Sequence, residues 1–256
     1  MKISSEILPI LSSLDVDGCR VRIAEQLDRA TYAKVNKVLE AIGGKWSRKD
    51  KAHMFPTGAQ HRLDIVMVTG EVEINRDVGH FPTPVKLAAE LVAMAGVRRD
   101  MRCLEPSAGT GRIVDALIAV GAHVTCVERD TERRRKLPRG PSCEVSSHDD
   151  FMLYKTPADR FQRVVMNPPF AKVGIGDHLA HVMHAYSMLD RGGILVSVLP
   201  SSVSFRRDRR HAEFRAWLEE RGEIRQLPEG SFKESGTNVN AIVALMENDG
   251  SGNAMS

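Results

Sequence analysis

Short apolar runs alternate with amphipathic helical segments through residues 81–247, and this alternation restricts the fold more than any other feature. The runs with strand character are RCLEP, HVTCVE, FQRVVM and ILVSVLP. The segments with helical spacing of apolar residues are 87–96, 112–121 and 178–193. Such alternation indicates an α/β fold with a mainly parallel, doubly wound sheet. Two later runs, EIRQLPEGSF and NVNAIVALME, have no helix between them and predict a terminal hairpin that adds an antiparallel strand.

Residues 1–78 follow a different pattern, which predicts a small N-terminal α+β domain. CRVRI is strand-like, DRATYAKVNKVLEAIGG reads as a helix ended by glycines, and KWSRKDKAHMF reads as a polar, basic hairpin. We place the boundary near residues 73–79, so that the α/β domain covers 79–248. The final stretch, 249–256, is expected to be a disordered tail.

Composition is that of a globular protein, with 42% apolar and 27% charged residues among 256. The apolar runs are too short to span a bilayer, and MKISSEILPILSSLD lacks the long apolar region of a signal peptide. The four cysteines lie far apart and form no CxxC pair, so we expect neither zinc nor disulfides. These features predict a cytoplasmic protein without a membrane partner.

A row of histidines, His178, His181 and His184, has the i, i+3, i+6 spacing that could hold a metal ion. No carboxylate or cysteine completes a convincing ligand set, so we expect no metal. Surface histidines, or histidines that support a nearby substrate, are the preferred interpretation.

Basic residues are clustered although the net charge is only +3. The clusters are GGKWSRKDKAH (43–53), RRRK (133–136) and FRRDRRH (205–211). Separate basic clusters are compatible with nucleic-acid binding. A solvated helix face is the alternative for any one of them.

The segment EPSAGTG (105–111) lies between a strand and a helix, where open α/β sheets bind ligands. Its Gly109 and Gly111 would let a ligand approach the backbone. The third glycine of a dinucleotide fingerprint is absent, since position 114 is Val114. A purely structural turn is the alternative.

Two acidic positions follow the next strands. Glu128 lies 17 residues after Gly111, a spacing at which a carboxylate can bind both hydroxyls of a ribose. A surface salt bridge, for example with Arg129 or Arg133, is the alternative. In HDDF (148–151), Asp150 could accept a hydrogen bond from an adenine amino group while Phe151 lies against the ring. A helix cap is the alternative for the aspartates.

The run VVMNPPF (164–170) predicts a rigid corner with chemical use. Consecutive prolines, Pro168 and Pro169, fix φ and remove two backbone donors. An aromatic amino group is a poor nucleophile, and two acceptors aimed at its hydrogens favour a pyramidal nitrogen. Asn167 Oδ1 and the Pro168 carbonyl could be those acceptors, and Phe170 could stack on an extruded base. Such chemistry needs positioning but neither a general base nor a metal.

Taken in order, FPTP (81–84), EPSAGTG, VTCVE, DDF and NPPF resemble the motifs of class I S-adenosylmethionine-dependent amino-methyltransferases, particularly DNA adenine-N6 enzymes. The resemblance covers about residues 80–247 and implies a Rossmann-like, seven-stranded sheet. It implies that Phe81 and Thr83 flank the methionine end of S-adenosylmethionine. The positions that it assigns to the cofactor pocket are completed by Glu105, Pro106, Ser107, Gly109, Gly111, Glu128, Asp150, Phe151 and Asn167.

The resemblance also implies a substrate: adenine N6 in DNA, most simply double-stranded, with the base flipped into the NPPF pocket. Asn at position 167 favours adenine over cytosine N4, and Phe170 disfavours the glutamine-modifying relatives, which carry tyrosine there. RNA or protein amino-methylation and a non-catalytic binding module remain alternatives. A homodimer is compatible with the sequence.

Target recognition is expected outside the motifs, because 150–167 has room only for a short connection and one strand. It could come from the N-terminal unit, from loops such as 171–177 and 202–211, or from a partner. We expect the hairpin to contact DNA, with Trp46 stacking or wedging. The basic residues expected to contact DNA are Lys45, Arg48, Lys49, Lys51, Arg206 and Arg207. The alternative for Trp46 is a place in the small domain's own core.

Overall fold

The computed structural model describes residues 1–4, 6–56, 58–72, 82–155, 157–170, 178–235 and 240–250. The predicted boundary at 73–79, Phe81, the loop 171–177 and most of the predicted tail lie outside these residues. The described chain contains two sheets, each with its own hydrophobic core.

The first sheet belongs to the N-terminal unit and is antiparallel, with the order β1-β2-β4-β3. The elements of this unit are α1 (Ile7–Ser12), β1 (Asp15–Asp17), β2 (Arg20–Arg22), α2 (Arg29–Ala41), β3 (Lys45–Ser47), β4 (Ala52–Met54) and α3 (Ala59–Thr69). Asp28 caps α2 by accepting hydrogen bonds from the backbone N–H groups of Ala30 and Thr31 at 2.8 and 3.0 Å. The predicted basic hairpin is present as β3 and β4, whereas the sequence patterns did not indicate α1, β1 or α3.

The second sheet has seven strands in the order β10-β11-β9-β8-β5-β6-β7. The elements of this unit are α4 (Val85–Met94), β5 (Arg102–Glu105), α5 (Arg112–Ala119), β6 (His123–Cys126), α6 (Thr131–Lys136), β7 (Cys143–Val145), β8 (Phe161–Met166), α7 (His178–Ser187), β9 (Leu189–Pro200), α8 (Arg209–Glu219), β10 (Gly222–Gln226) and β11 (Ala241–Asn248). Strands β5 to β9 pair in parallel, and β11 runs antiparallel between β9 and β10. The predicted doubly wound sheet with an antiparallel terminal hairpin is therefore confirmed.

Both faces of the central strands of this sheet are buried, because their side chains alternate between two cores. In β9, Leu195 and Leu199 belong to one core cluster, with α7 and α8. Val196 and Val198 belong to the other, with α4 and α5. This burial on two sides explains why the central strands are almost continuously apolar.

One predicted boundary is wrong. The sequence suggested that a helix runs from 178 to the glycine pair at 192–193, but α7 ends at Ser187 and β9 begins at Leu189. The stretch LDRGG is strand because Leu189 pairs with Phe161, and Gly193 pairs with Asn248. The register shift between Phe161 and Arg163 is an irregularity of the kind that glycines often mark in strands.

The two units touch through charged pairs. Arg206 Nη1 lies 2.6 Å from Asp64 Oδ1 of α3, and Lys2 Nζ lies 3.1 Å from Glu229 Oε1. Phe205 packs against the core of the N-terminal unit. The unit is therefore docked on the chain that follows β9.

Within the described part of the chain, no helix is both long and apolar enough to cross a membrane. All four cysteines are free; Cys103, Cys126 and Cys143 are buried and Cys19 is exposed.

Close strand packing at Gly222 gives a test of the terminal hairpin. A Cβ at this position would lie 1.9 Å from the Leu245 carbonyl oxygen. We expect Gly222→Ala to lower the free energy of unfolding by about 1–3 kcal/mol or more, because backbone atoms must move apart. Gly140→Ala, where a Cβ would meet nothing within 4 Å, is the control and should unfold like the parent in a denaturant titration. Equal stability of the two variants would contradict the described pairing of β10 and β11.

Candidate active site

Three loops meet at the carboxyl edge of the parallel strands. β5 ends at Glu105, and its neighbours β6 and β8 end at Cys126 and Met166. Because these strands run in the same direction, the segments that follow them emerge on one side of the sheet. The structure therefore brings together the 105–111 loop, Glu128 and the NPPF corner.

Asn167 joins this edge to the segment before α4. Its Nδ2 donates a hydrogen bond to Thr83 Oγ1 at 3.0 Å. Arg112, at the start of α5, donates from Nη1 to the Thr83 carbonyl at 3.1 Å. Thr83 is buried, with 6% of its surface exposed. Thr83 thus holds the corner against the first turn of the helix that follows the glycine loop, and its contact orients the Asn167 amide plane.

The 105–111 loop has a backbone that its glycines make possible. Gly109 and Gly111 have φ values of 55° and 86°, in the left-handed region. A Cβ at Gly111 would lie 3.1 Å from Leu137 Cδ2. The loop is therefore tightly packed on one side, and Pro106 is buried while Ser107 is partly exposed.

Glu105 is the most unusual group of the edge, since its carboxyl is 1% exposed. Oε1 accepts a hydrogen bond from the Ser107 backbone N–H at 2.9 Å. Oε2 is buried without a hydrogen-bond partner among the described residues. Burial raises the pKa of Glu105 to about 8, the charge of Glu128 acts in the same direction, and the Ser107 hydrogen bond opposes them. A cationic ligand group beside this carboxyl would favour its ionised form and could bond the oxygen that has no partner among the described residues.

Glu128 is also buried, with 7% exposure, and braces the loop. Its Oε2 accepts from the Gly109 backbone N–H at 2.6 Å, and its Oε1 accepts from the Asp130 N–H at 2.7 Å. Arg133 Nε lies 3.4 Å from Oε1. An ion pair with Arg133 is therefore present, but the Glu128 side chain in it is buried rather than at the surface. A carboxylate oxygen has further lone pairs, so the predicted ribose contact stays a prediction.

Asp150 and Phe151 are engaged with protein. Asp150 Oδ1 accepts from the Met152 N–H at 2.9 Å, so the cap that was the alternative interpretation is present at the short 3₁₀ turn Phe151–Leu153. Phe151 is 3% exposed, and its ring centroid lies 4.8 Å from that of His184. The predicted adenine contacts would have to form beside these interactions.

The aromatic ring of the corner does not lie where the sequence suggested. Phe170 is 2% exposed and belongs to the core cluster that contains α4 and α5. Its ring faces protein, so in this structure it offers no surface for a stacked base, and the predicted stacking role is corrected to packing. Pro168 is also buried, and Pro169 is partly exposed.

The histidine row contributes two buried imidazoles. Burial lowers the pKa of His178 to about 3 and that of His181 to about 4, so both are neutral at ordinary pH. No group of three or more metal-ligating side chains occurs among the residues that the structure describes. The sequence patterns missed a further pair, His211 and Asp208, whose Nδ1 and Oδ1 lie 2.8 Å apart. Their i, i+3 spacing at a helix start could have indicated this pair.

The basic hairpin is on the surface. Trp46 is 47% exposed, and its ring meets the edge of His53 at a centroid distance of 5.2 Å. The interpretation that Trp46 lies in the core of its unit is therefore wrong. The basic side chains of the hairpin are likewise exposed, namely those of Lys45, Arg48, Lys49 and Lys51.

Arg206 and Arg207, which were also predicted to contact DNA, differ in their exposure and in their partners. The Arg206 side chain is 16% exposed and is paired with Asp64 and Asp208 at 2.6 and 3.0 Å. Its guanidinium serves the contact between the units, so the predicted phosphate contact of Arg206 is corrected. The Arg207 side chain is 76% exposed, with Glu25 Oε1 at 3.5 Å, and its DNA contact stays a prediction.

Comparison with known proteins identifies the fold. No protein-family model matches the chain, and no curated protein matches it. It is similar to the methyltransferase subunit of a type I restriction-modification system from Streptococcus thermophilus, with a TM-score of 0.57, 18% identity and coverage of 68% of this chain and 46% of that one. It is also similar to a protein from Listeria monocytogenes described as a class I S-adenosylmethionine-dependent methyltransferase. The TM-score is 0.52 and the identity 15%, with coverage of 69% of this chain and 62% of that one. A third similar structure is a protein from Pyrococcus horikoshii described as an RNA methyltransferase. The TM-score is 0.51 and the identity 17%, with coverage of 74% of this chain and 97% of that one.

The chain therefore has the fold of class I methyltransferases. Identities of 15–18% show that fold alone. The chain spans less than two thirds of the length of the first two structures. S-adenosylmethionine, the cofactor expected from the sequence, is the one that defines this class.

The buried carboxyl of Glu105 predicts a specific pH dependence of stability. Its pKa is about 8 in the folded protein against 4.5 ordinarily, so between these pH values the folded state holds a proton that the unfolded chain has lost. The contribution of Glu105 to stability therefore falls as pH rises from about 4.5 to about 8. Glu105→Gln resembles the protonated form and removes this fall. We expect the Tm of the variant, relative to the parent, to rise progressively between pH 5 and pH 8.5.

The control for this measurement is Glu90→Gln, which changes an exposed carboxylate on α4. Its Tm should follow that of the parent at every pH. A Tm difference for Glu105→Gln that does not change with pH would contradict a proton on Glu105 in the folded state.

Proposed function

We propose that this protein transfers a methyl group from S-adenosylmethionine to the N6 amino group of adenine in DNA. The observation that carries the proposal is the 3.0 Å hydrogen bond between Asn167 and Thr83. It joins the NPPF corner to the segment that the sequence resemblance assigns to the methionine end of the cofactor. The groups expected to hold the donor and the acceptor of the methyl group are thereby placed side by side.

Two features of the residues around the loop support S-adenosylmethionine as the ligand. Glu105 and Glu128 are buried carboxyl groups at neighbouring strand ends, and the unused Glu105 oxygen suits a cationic ligand. Gly109 and Gly111 let a ligand lie close to the backbone. The pocket residues would be Thr83, the 105–111 loop, Glu128, Asp150 and Phe151, with Phe81 as a further expectation. When bound, this cofactor supplies a methyl group on a positively charged sulfur, which needs no further activation.

The corner would prepare the acceptor nitrogen. Asn167 Oδ1 and the Pro168 carbonyl accept hydrogen bonds from the two hydrogens of the amino group and draw its lone pair out of conjugation. Prolines keep the carbonyl direction fixed, so little reorganisation is needed during the reaction. No general base is needed before transfer, because the nitrogen attacks as a neutral group and loses its proton afterwards to solvent. Positioning supplies most of the rate.

DNA would be held by the β3–β4 hairpin of the N-terminal unit. An exposed tryptophan beside four exposed basic residues is a combination that suits phosphate contacts together with stacking or wedging. We propose double-stranded DNA as the substrate, with the adenine extruded into the site. The RNA methyltransferase among the structural neighbours keeps RNA as the second candidate.

The proposed reaction predicts the effect of removing one acceptor. Asn167→Ala should lower methyl transfer by about 100-fold or more, since one preorganised acceptor is lost at the reacting nitrogen. DNA from a methylation-free host that expresses the protein is sequenced by a single-molecule method that detects modified bases. We expect N6-methyladenine in a defined motif with the parent and with the Glu90→Gln control, and none with Asn167→Ala. Unmodified DNA together with methylated host RNA would overturn DNA as the substrate.

The proposed DNA surface predicts a salt-dependent effect. The double variant Lys49→Glu/Lys51→Glu should weaken DNA binding and lower the slope of log K against log salt by about 2, because two phosphate contacts are lost. Arg98→Glu/Arg99→Glu changes the net charge equally. These two exposed residues precede β5, at the opposite edge of the sheet from the site. Equal losses in both double variants, measured by fluorescence anisotropy from 50 to 300 mM salt, would reject a local contact.

A further inference from the structure

The corner is held from behind by a buried histidine that the proposed chemistry does not use. His178 begins α7 and is 9% exposed. A backbone hydrogen bond to Phe170, the last residue of the corner, raises the pKa of His178 and so opposes the effect of burial, which is the direction expected when the imidazole donates to the Phe170 carbonyl. Since Nε2 is buried without a hydrogen-bond partner in the described structure, the donor is Nδ1. This bond fixes the tautomer of His178 and the direction of the Phe170 carbonyl.

A second buried histidine lies against the first. The ring of His211, in the first turn of α8, has its centroid 6.0 Å from that of His178 and is 6% exposed. Its Nδ1 lies 2.8 Å from Asp208 Oδ1, and the same carboxylate oxygen caps α8 by accepting from the His211 N–H at 3.2 Å. The position of the His211 ring therefore depends on Asp208.

Asp208 in turn leads to the N-terminal unit. Its Oδ2 lies 3.0 Å from Arg206 Nε, and Arg206 Nη1 lies 2.6 Å from Asp64 Oδ1. The Arg206 side chain is 16% exposed, and those of Asp64 and Asp208 are 29% and 43% exposed. Removing one partner of such a partly buried network leaves a poorly compensated charge, so the arrangement resists distortion.

We propose that His178 is a positioning residue for the NPPF corner, and that Asp208, His211 and Arg206 connect it to the docking of the N-terminal unit at Asp64. The proposal rests on the proposed methyl transfer at that corner. Prolines fix φ within the corner but leave it without amide hydrogens at two positions, so its attachment to the surrounding structure falls to the residues at either end. Thr83 anchors Asn167 at one end, and His178 anchors the Phe170 carbonyl at the other. A unit that binds DNA is thereby linked to the acceptors that prepare the base.

The local charges argue against a metal ion between the two histidines. Arg206 carries a fixed positive charge close to both rings and disfavours their protonation. The same charge would oppose a bound cation. The contacts around the two rings instead fit a rigid support built from neutral imidazoles.

Matched substitutions at His178 separate positioning from packing. The amide nitrogen of Asn can occupy the place of imidazole Nδ1, so His178→Asn keeps the donor to Phe170, whereas His178→Leu keeps bulk and loses it. We expect kcat within about threefold of the parent for Asn and about 100-fold lower for Leu, since a displacement of about 1 Å at a reacting group costs that much. The Kd of S-adenosylmethionine should be unchanged in both. Equal losses of kcat in the two variants, or a small loss in both, would overturn the role of His178.

Hydrogen exchange tests the connection without relying on activity. Exchange at the backbone amides of Asn167 and Phe170 is followed by mass spectrometry in the full-length protein. We expect about tenfold faster exchange in His178→Leu and in Asp64→Asn, because a lost anchor makes local opening easier. Glu229→Gln is the control, since it removes another pair between the units, Lys2 with Glu229, whose side chains are 62% and 79% exposed.

Failure of the proposed methyl transfer and failure of the link to the N-terminal unit give different results. A parent protein that methylates neither DNA nor RNA fails the proposed function, while the exchange measurement still reports on the connection. Unchanged exchange in Asp64→Asn, or equal changes in Asp64→Asn and Glu229→Gln, would overturn the link to the N-terminal unit.

Discussion

Parallel pairing of β5 with both β6 and β8 is the constraint on which the site depends. Each of these strands ends in the loop that carries one part of the site, so the pairing brings sequence segments some 60 residues apart to one edge. The hydrogen bond from Asn167 to Thr83 then closes the edge against the segment before α4. Without this pairing, the loops that carry the motifs would lie apart and could not form one site.

The same pairing creates an electrostatic cost. It places Glu105 and Glu128 in neighbouring buried positions, where the charge of Glu128 adds to burial in raising the pKa of Glu105. Glu128 is compensated by backbone N–H groups and by Arg133, whereas Glu105 has one backbone donor and an oxygen without a partner in the described structure. A cation that enters would relieve this imbalance. A positively charged ligand would therefore stabilise the ionised form of Glu105 in the folded protein. Without such a ligand, ionisation of Glu105 lowers the stability of the folded state at high pH.

How far the sequence could predict this protein depended on the range of the interactions involved. Alternating strands and helices, the glycine loop and the proline corner are local patterns, and the structure has the corresponding elements. The glycine pair after α7 was misread as a helix end, because strand pairing of Leu189 with Phe161 is a long-range contact. The burial of Phe170 was also misjudged, since its ring lies in the core. Aromatic character alone does not determine which side of a loop faces solvent.

Charged residues show the same limit. Arg206 and Arg207 are adjacent in one basic run, yet one is paired with Asp64 across the contact between the units and the other is exposed. Only the docking of α3 on the chain after β9 distinguishes them. That docking gives a physical reason for a small domain to remain in contact with a catalytic one. If the N-terminal unit holds DNA, as we propose, this docking would help to present the base to the corner in a fixed orientation.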